Sequence, residues 1–373
     1  MNIHKGLENI VADQTAISFV DGKNGCMYYR GYNIEELVEY SNFEECAFLI
    51  WHGKLPTPSE YEKFMLEFKE GVEFPEYIQK LLLIIPRYAN NMDVLRTAIS
   101  YASHFDSTIY DNTPHSLLRK AYKLANLFNT IIPNWYRIKR GEEYVLPDKQ
   151  LSYSQNFLYQ LSNTREISPL INKVLEIALI LHLDHGFNAS TFSARVSVST
   201  CSDIYSAIAS AIGTLKGNLH GGAGEQVIKM LFEIREPDNA KKFLDECFAK
   251  KIRIPGFGHR VYKIQDPRAK ILKNYAIQLG QNHPEKSFIE IAEIVEKIMV
   301  EEKKIYPNVD FYSSIVYYYM GIRPELFTPV FALGRIVGWT AHIIEQLSNN
   351  KLIRPLENYI GPSNLHYIPI DKR

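Results

Sequence analysis

Four of the eleven histidines, His182, His185, His220 and His259, fall between residues 182 and 259. His259 stands in the stretch Ile254 to Arg268. There Pro255, Gly256 and Gly258 leave a backbone of little bulk that can lie against a flat or anionic ligand. Asp266-Pro267 reads as an N-cap and first helical residue, which places Arg268 in a first turn, where an anion is favoured. His220 sits at a glycine-rich helix start, Gly217 to Glu225. Free N–H groups there disfavour imidazolium and favour a neutral hydrogen-bond donor. The glycines are not followed by Gly-Lys-Ser/Thr, so they are no P-loop. Asp310 lies among Val309, Phe311 and Tyr312, where desolvation raises a carboxyl towards the range of a useful base; an ordinary first-turn aspartate is the plainer reading. Arg335 interrupts an apolar run from Leu326 to Ile344 and needs a partner, either a carboxylate ligand or an internal ion pair.

His182 and His185, three apart on an apolar helical stretch, are expected on one helix face with Asp184 between them. A metal-dependent hydrolase built on His182, Asp184 and His185, with His220, His259 or Asp310 as further ligands, is one reading. Histidines with internal partners, or a pair facing a ligand without metal, are the others. No HExxH pattern completes a zinc site.

The elements that must hold these groups are helical. Ala16–Val20 and Cys26–Tyr29, separated by Asp21 to Gly25, predict a small N-terminal β-hairpin. Asn33 with Glu36, Asn42 with Glu45 and Thr57 with Glu60 have capping-box spacing. Apolar periodicity predicts further helices near 75–85, 92–104, 114–137, 168–185, 189–199, 202–216, 222–234, 238–250, 267–281, 287–304, 309–320 and 324–348, with a loop at 141–148. The fold is therefore expected to be all-α. Gly217 and Gly321 read as helix ends or as hinges. Lys351 to Arg373, with Pro355, Pro362 and Pro369, reads as an extended arm carrying Arg354 near its start.

With 373 residues the chain can bury a large core. A formal net charge of zero and no long basic block argue against nucleic acid as partner. Cys26, Cys46, Cys201 and Cys247 are widely spaced, which fits a reducing compartment better than a disulfide framework. The start has no apolar leader and no uninterrupted apolar run reaches membrane-spanning length, so a soluble cytoplasmic protein is expected.

Four segments in order, His-Leu-Asp-His-Gly-Phe-Asn-Ala-Ser-Thr-Phe-Ser-Ala-Arg (182–195), Leu-Lys-Gly-Asn-Leu-His-Gly-Gly (215–222), Pro-Gly-Phe-Gly-His-Arg-Val-Tyr-Lys with Asp-Pro-Arg (255–268) and Asn-Val-Asp-Phe-Tyr-Ser (308–313), resemble the signature segments of the citrate synthase family. The resemblance runs from about Gly6 to the final arm. It implies a two-domain all-α homodimer. Residues 1–219 plus 320–373 would form a large domain, and 220–319 a small one carrying the catalytic and CoA-binding loops. It implies condensation of acetyl-CoA with oxaloacetate; the related 2-methylcitrate synthases use propionyl-CoA. On this resemblance Asp310 is the base, His220 the donor to the enolate oxygen and His259 the acid. His185, Arg268, Arg335 and Arg354 clamp oxaloacetate, with Arg354 reaching the neighbouring subunit. Ile254, Pro255, Gly256, Phe257, Gly258, Lys263 and Lys304 bind CoA. No metal or cofactor is implied. Gly224, Asn218 and Ser314 depart from the family pattern, which usually has asparagine, proline and glycine there.

Overall fold

The computed structural model describes residues 3–373. It begins with a three-stranded antiparallel sheet, β1 (Ser18–Asp21), β2 (Cys26–Tyr29) and β3 (Tyr32–Asn33), in the order β1-β2-β3 with Ser18 opposite Tyr29 and Asp21 opposite Cys26. The hairpin is as expected; the third strand extends it by two residues. Helices follow: α1 (Ile34–Tyr40), α2 (Phe43–His52), α3 (Pro58–Glu70), α4 (Glu76–Ile84), α5 (Asn91–Ala102), α6 (Pro114–Lys139), α7 (Tyr153–Ser162), α8 (Pro169–His182), α9 (Ala189–Ser199) and α10 (Ile204–Leu215). The series ends with α11 (Ala223–Ile234), α12 (Ala240–Ala249), α13 (Pro267–Gly280), α14 (Ser287–Ile298), α15 (Val309–Tyr319) and α16 (Phe327–Ser348). The all-α expectation holds. The capping pattern at Thr57 and Glu60 closes reciprocally. Asn33 and Asn42 cap from their own side chains only, and Glu45 turns instead to the Ser41 hydroxyl.

The centre of the molecule is α16, which packs on α2, α6, α8, α9 and α10. By length and composition α16 with its 3₁₀ lead-in could cross a membrane, but its most apolar window is 94% buried inside the protein, so it is a core helix. A second group, α11 to α15, packs on itself and meets the first where α13 and α15 touch α8 and α11 touches α16. Every candidate catalytic side chain lies at that junction or in the loops beside it. Close packing there depends on two glycines of α16. A Cβ at Gly334 would lie 2.8 Å from the Leu179 carbonyl oxygen, and one at Gly338 only 2.2 Å from that of Leu183. Small residues at both positions let α16 approach α8 closely, as their spacing around Arg335 suggests.

Two readings of the sequence are corrected. Residues 153–162 form α7, which the periodicity did not reveal, although Ser152 and Gln155 complete a capping box at its start. Helix α8 ends at His182, so His185 lies in the following turn and does not share a helix face with His182. The Tyr29 hydroxyl donates to the Ile180 carbonyl (2.9 Å) and lies 3.3 Å from that of Asp184, fixing this exit.

Candidate active site

His182, Asp184 and His185 point to three different sets of partners. His182 donates from Nδ1 to the Ala178 carbonyl (2.6 Å), and burial drives its pKa down to about 3. Asp184 is fully buried; burial alone would raise its pKa, but the neighbouring His342 at 3.2 Å, with help from Arg335 and Ser18, holds it near 2. His185 lies edge-on to His259, with ring centroids 4.9 Å apart. Among the described residues no group of three or more His, Cys, Asp or Glu is placed to share a metal ion, so the hydrolase arrangement is not assembled.

Arg335 and Arg268 form the positive floor of the site. Arg335 is 1% exposed; its Nε donates to the His182 carbonyl at 2.6 Å and its guanidinium lies 4.6 Å from the Phe331 ring centroid. Among the described residues it has no carboxylate within ion-pair distance, and burial pulls its pKa down to about 10. The internal ion pair expected as the alternative is therefore not formed. Arg268 is also buried, but the Asp266 carboxylate grips it by two parallel bonds, Nε to Oδ1 at 3.0 Å and Nη2 to Oδ2 at 2.8 Å. Asp266 caps α13 as its position before Pro267 predicts, accepting the Arg268 backbone N–H at 3.0 Å.

Burial favours the neutral form of both candidate catalytic histidines, and a backbone N–H points at one ring nitrogen of each. His220 lies with Nε2 3.3 Å from the Ser190 backbone N–H and 2.8 Å from its hydroxyl. A nitrogen that accepts from an N–H carries no proton, so the proton of His220 is on Nδ1. His259 accepts at Nδ1 from the backbone N–H groups of Val261 and Tyr262, both at 3.0 Å, so its proton is on Nε2. Burial, reinforced by Arg335 for His220 and by Arg268 for His259, lowers both pKa values to about 4. His185 is pushed well below the usual range by burial, then by Arg268, His259 and Arg335.

Asp310 opens α15, where Asn308 caps the helix through the Asp310 backbone N–H (3.0 Å). Among the described residues nothing donates to its carboxylate. Burial raises its pKa to about 6, against the opposing pull of Arg268. Asn308 also ties this helix start to the candidate CoA loop. Its backbone N–H donates to the Gly256 carbonyl (2.9 Å) and its side chain to the Gly258 carbonyl (3.0 Å), while Gly258 donates to the Tyr306 carbonyl (3.0 Å). The loop backbone is thus less open than its composition suggests. Gly256 has φ 79° and sits where a Cβ would be 2.8 Å from the Phe311 side chain.

Lys263, Lys304 and Arg354 are exposed, and among the described residues no hydrogen bond or ion pair joins their side chains to the histidines. Ser190, Tyr262 and the pairing of buried Asp184 with His342, which Arg195 also contacts, were not foreseen. Four buried polar atoms without a protein partner, His182 Nε2, His185 Nε2, Tyr262 Oη and Tyr317 Oη, belong to residues of this region.

The sequence and the overall fold are similar to those of known proteins. The sequence family described as citrate synthase, C-terminal domain, matches residues 6–356. The chain belongs to the citrate synthase family. Citrate synthase 2 of Bacillus subtilis is 43% identical over 374 residues, covering 100% of both chains. The citrate synthase of the thermophilic archaeon Thermoplasma acidophilum, solved as a ternary complex with carboxymethyl coenzyme A and oxaloacetate, superposes with a TM-score of 0.95 at 34% identity over 100% of both chains. 2-Methylcitrate synthase 2 of Corynebacterium glutamicum is 37% identical over 100% of this chain and 98% of its own. Against the family pattern, two departures meet in space: a Cβ on Gly224 would lie 2.9 Å from the hydroxyl of Ser314. The serine fills volume beside residue 224, so the smaller residue at one position accompanies the larger at the other.

Proposed function

We propose that this protein condenses acetyl-CoA with oxaloacetate and water to give citrate and CoA. The observation that carries this reading is a buried arginine without a carboxylate among the described residues, Arg335, beside two buried histidines that receive backbone N–H groups at opposite ring nitrogens, Nε2 of His220 and Nδ1 of His259, and a buried carboxyl whose pKa is raised to about 6. The Asp310 carboxylate takes a proton from the acetyl methyl group. His220 Nδ1–H donates to the thioester oxygen as it becomes an enolate oxygen, a role that requires a neutral ring. The enolate carbon attacks the oxaloacetate ketone while His259 Nε2–H protonates its oxygen. Water then cleaves the thioester, releasing CoA. Arg335, the free Nη1 of Arg268 and His185 face the oxaloacetate carboxylates and carbonyl. No metal or other cofactor enters these steps.

The division into a large domain, 1–219 plus 320–373, and a small one, 220–319, belongs to the same reading. It follows the two packing groups, and closure would exclude water from the enolate. Residues 254–258, with Lys263 and Lys304, would receive CoA. Homodimerisation is supported by the terminal arm, where Leu356, Tyr359, Ile360, Leu365, Tyr367 and Ile370 are all exposed and would need a partner surface. In that dimer Arg354 would complete the neighbouring site. Four unpaired cysteines support a cytoplasmic setting.

The test is oxaloacetate-dependent release of the CoA thiol, with acetyl-CoA and propionyl-CoA compared. Higher kcat/KM for acetyl-CoA supports the citrate assignment; preference for propionyl-CoA transfers it to 2-methylcitrate synthesis. Absence of oxaloacetate-dependent release with both ends the reading.

A further inference from the structure

The loop from His259 to Asp266 is anchored at both ends. Gly258 is bonded to Tyr306, and Asp266 caps α13. Its middle is held by the N-terminal hairpin and by the segment that precedes it. The Lys263 backbone N–H donates to the Gly22 carbonyl at 2.9 Å, and Arg260 Nη2 donates to the Gly6 carbonyl at 3.2 Å. The hairpin turn lies so close that a Cβ at Gly22 would be 2.2 Å from the Val261 carbonyl oxygen and 2.7 Å from its carbon. Gly22 is not in the left-handed region, so its missing side chain serves this approach and not the turn itself.

The peptide it touches is the one that matters for His259. A peptide unit is planar and rigid, so the Val261 carbonyl and the Tyr262 N–H move together. That N–H, with the N–H of Val261, sets the His259 tautomer by donating to Nδ1. We propose that Gly22, in the hairpin 237 residues earlier in sequence, is a positioning residue for His259: its bare Cα seats the 261–262 peptide that keeps the His259 proton on Nε2. The same sheet reaches the opposite wall, since Ser18 accepts the Gly186 N–H at 3.0 Å in the turn beside His185. The hairpin therefore sets the two histidine-bearing segments against each other.

This inference rests on the acid role proposed for His259, and the experiment separates the two. Gly22→Ala and the exposed control Lys23→Ala are made in the wild-type and His259→Gln backgrounds, and kcat, both KM values and Tm are measured. Gly22→Ala is expected to lower kcat at least tenfold in the wild type, with little change in the KM for acetyl-CoA, and to have almost no effect on kcat in the His259→Gln background. Lys23→Ala should match its parent in both. Wild-type kcat in folded Gly22→Ala, or an equal loss in both backgrounds, overturns the proposal. If Gly22→Ala does not fold, Arg260→Ala decides. It removes the bond to Gly6 from the same loop. A smaller loss confined to the His259 background supports the proposal, and no loss, or the same loss in both backgrounds, overturns it. If the wild type itself shows no oxaloacetate-dependent turnover, the functional reading fails first.

Discussion

Ser190 meets His220 Nε2 twice, with its backbone N–H at 3.3 Å and its hydroxyl at 2.8 Å. The hydroxyl also accepts from Trp339 Nε1 at 3.1 Å and lies 2.8 Å from Asn188 Oδ1, so Asn188 and His220 Nε2 share its single proton. The backbone N–H can only donate, which favours the His220 proton on Nδ1, and burial favours the uncharged ring. We expect His220→Gln to lower kcat by roughly 10²–10³, the size of a lost oxyanion donor, with little change in the KM for oxaloacetate. Ser190→Ala should produce a smaller kcat loss in the same direction. Steady-state kinetics checks both, and a His220→Gln effect confined to KM would remove the donor role.

Much of this site is readable from local sequence, because it depends on short-range chemistry. Asp266-Pro267 predicts the cap that orients Arg268, and the apolar neighbours of Asp310 predict its raised pKa. Gly334 and Gly338 announce the close approach that buries Arg335. What was illegible depends on distant partners. The exit of α8 at His182 is fixed by Tyr29, over 150 positions earlier, so the local pattern carried the helix too far. The Asp184–His342 pair joins residues 158 apart. Helix α7 buries Asn156 and Gln160, which weakens the apolar periodicity that would have revealed it.

If Asp310 is the base, its pKa, raised by burial to about 6, should set the acid limb of activity. Proton abstraction requires the carboxylate, so kcat should fall as pH drops through about 6. His220 and His259, at about 4, remain neutral over that limb. The stability effect has the opposite sense. A folded-state pKa above the ordinary value of 3.8 gives a contribution that is full below that value and lost as pH rises through about 6. Asp310→Asn escapes this loss, so its Tm relative to wild type should rise between pH 4 and pH 7.5. A Tm difference that does not change with pH would contradict the assignment.

Arg335 is a buried cation without a carboxylate partner among the described residues, and the proposed function makes oxaloacetate its anion. Arg335→Met should weaken oxaloacetate binding by on the order of 2–5 kcal/mol. The ligand-free variant should lose little Tm or gain some, because a desolvated, unpaired charge has been removed. Calorimetric titration and thermal melts with and without oxaloacetate check this. The wild type should be protected by oxaloacetate and the variant should not. Equal protection of both would place the carboxylate site elsewhere.

Arg354 is exposed in the single chain, and its proposed role requires a second subunit. Arg354→Ala and Asp310→Asn homodimers should both be nearly inactive. Mixed and reassembled, they should recover activity, because a heterodimer carries one site with both groups intact and one with neither. No recovery, in heterodimers shown to form and with wild-type controls reassembling normally, would rule out action across the interface.

The central claim is that Asp310 removes the proton that starts the condensation. Its most direct test is turnover of folded Asp310→Asn with acetyl-CoA and oxaloacetate, measured beside its affinity for oxaloacetate. The account predicts a kcat reduced by at least about 10²-fold, as for loss of a general base, with oxaloacetate affinity close to wild type. Near-wild-type turnover in that variant would contradict it.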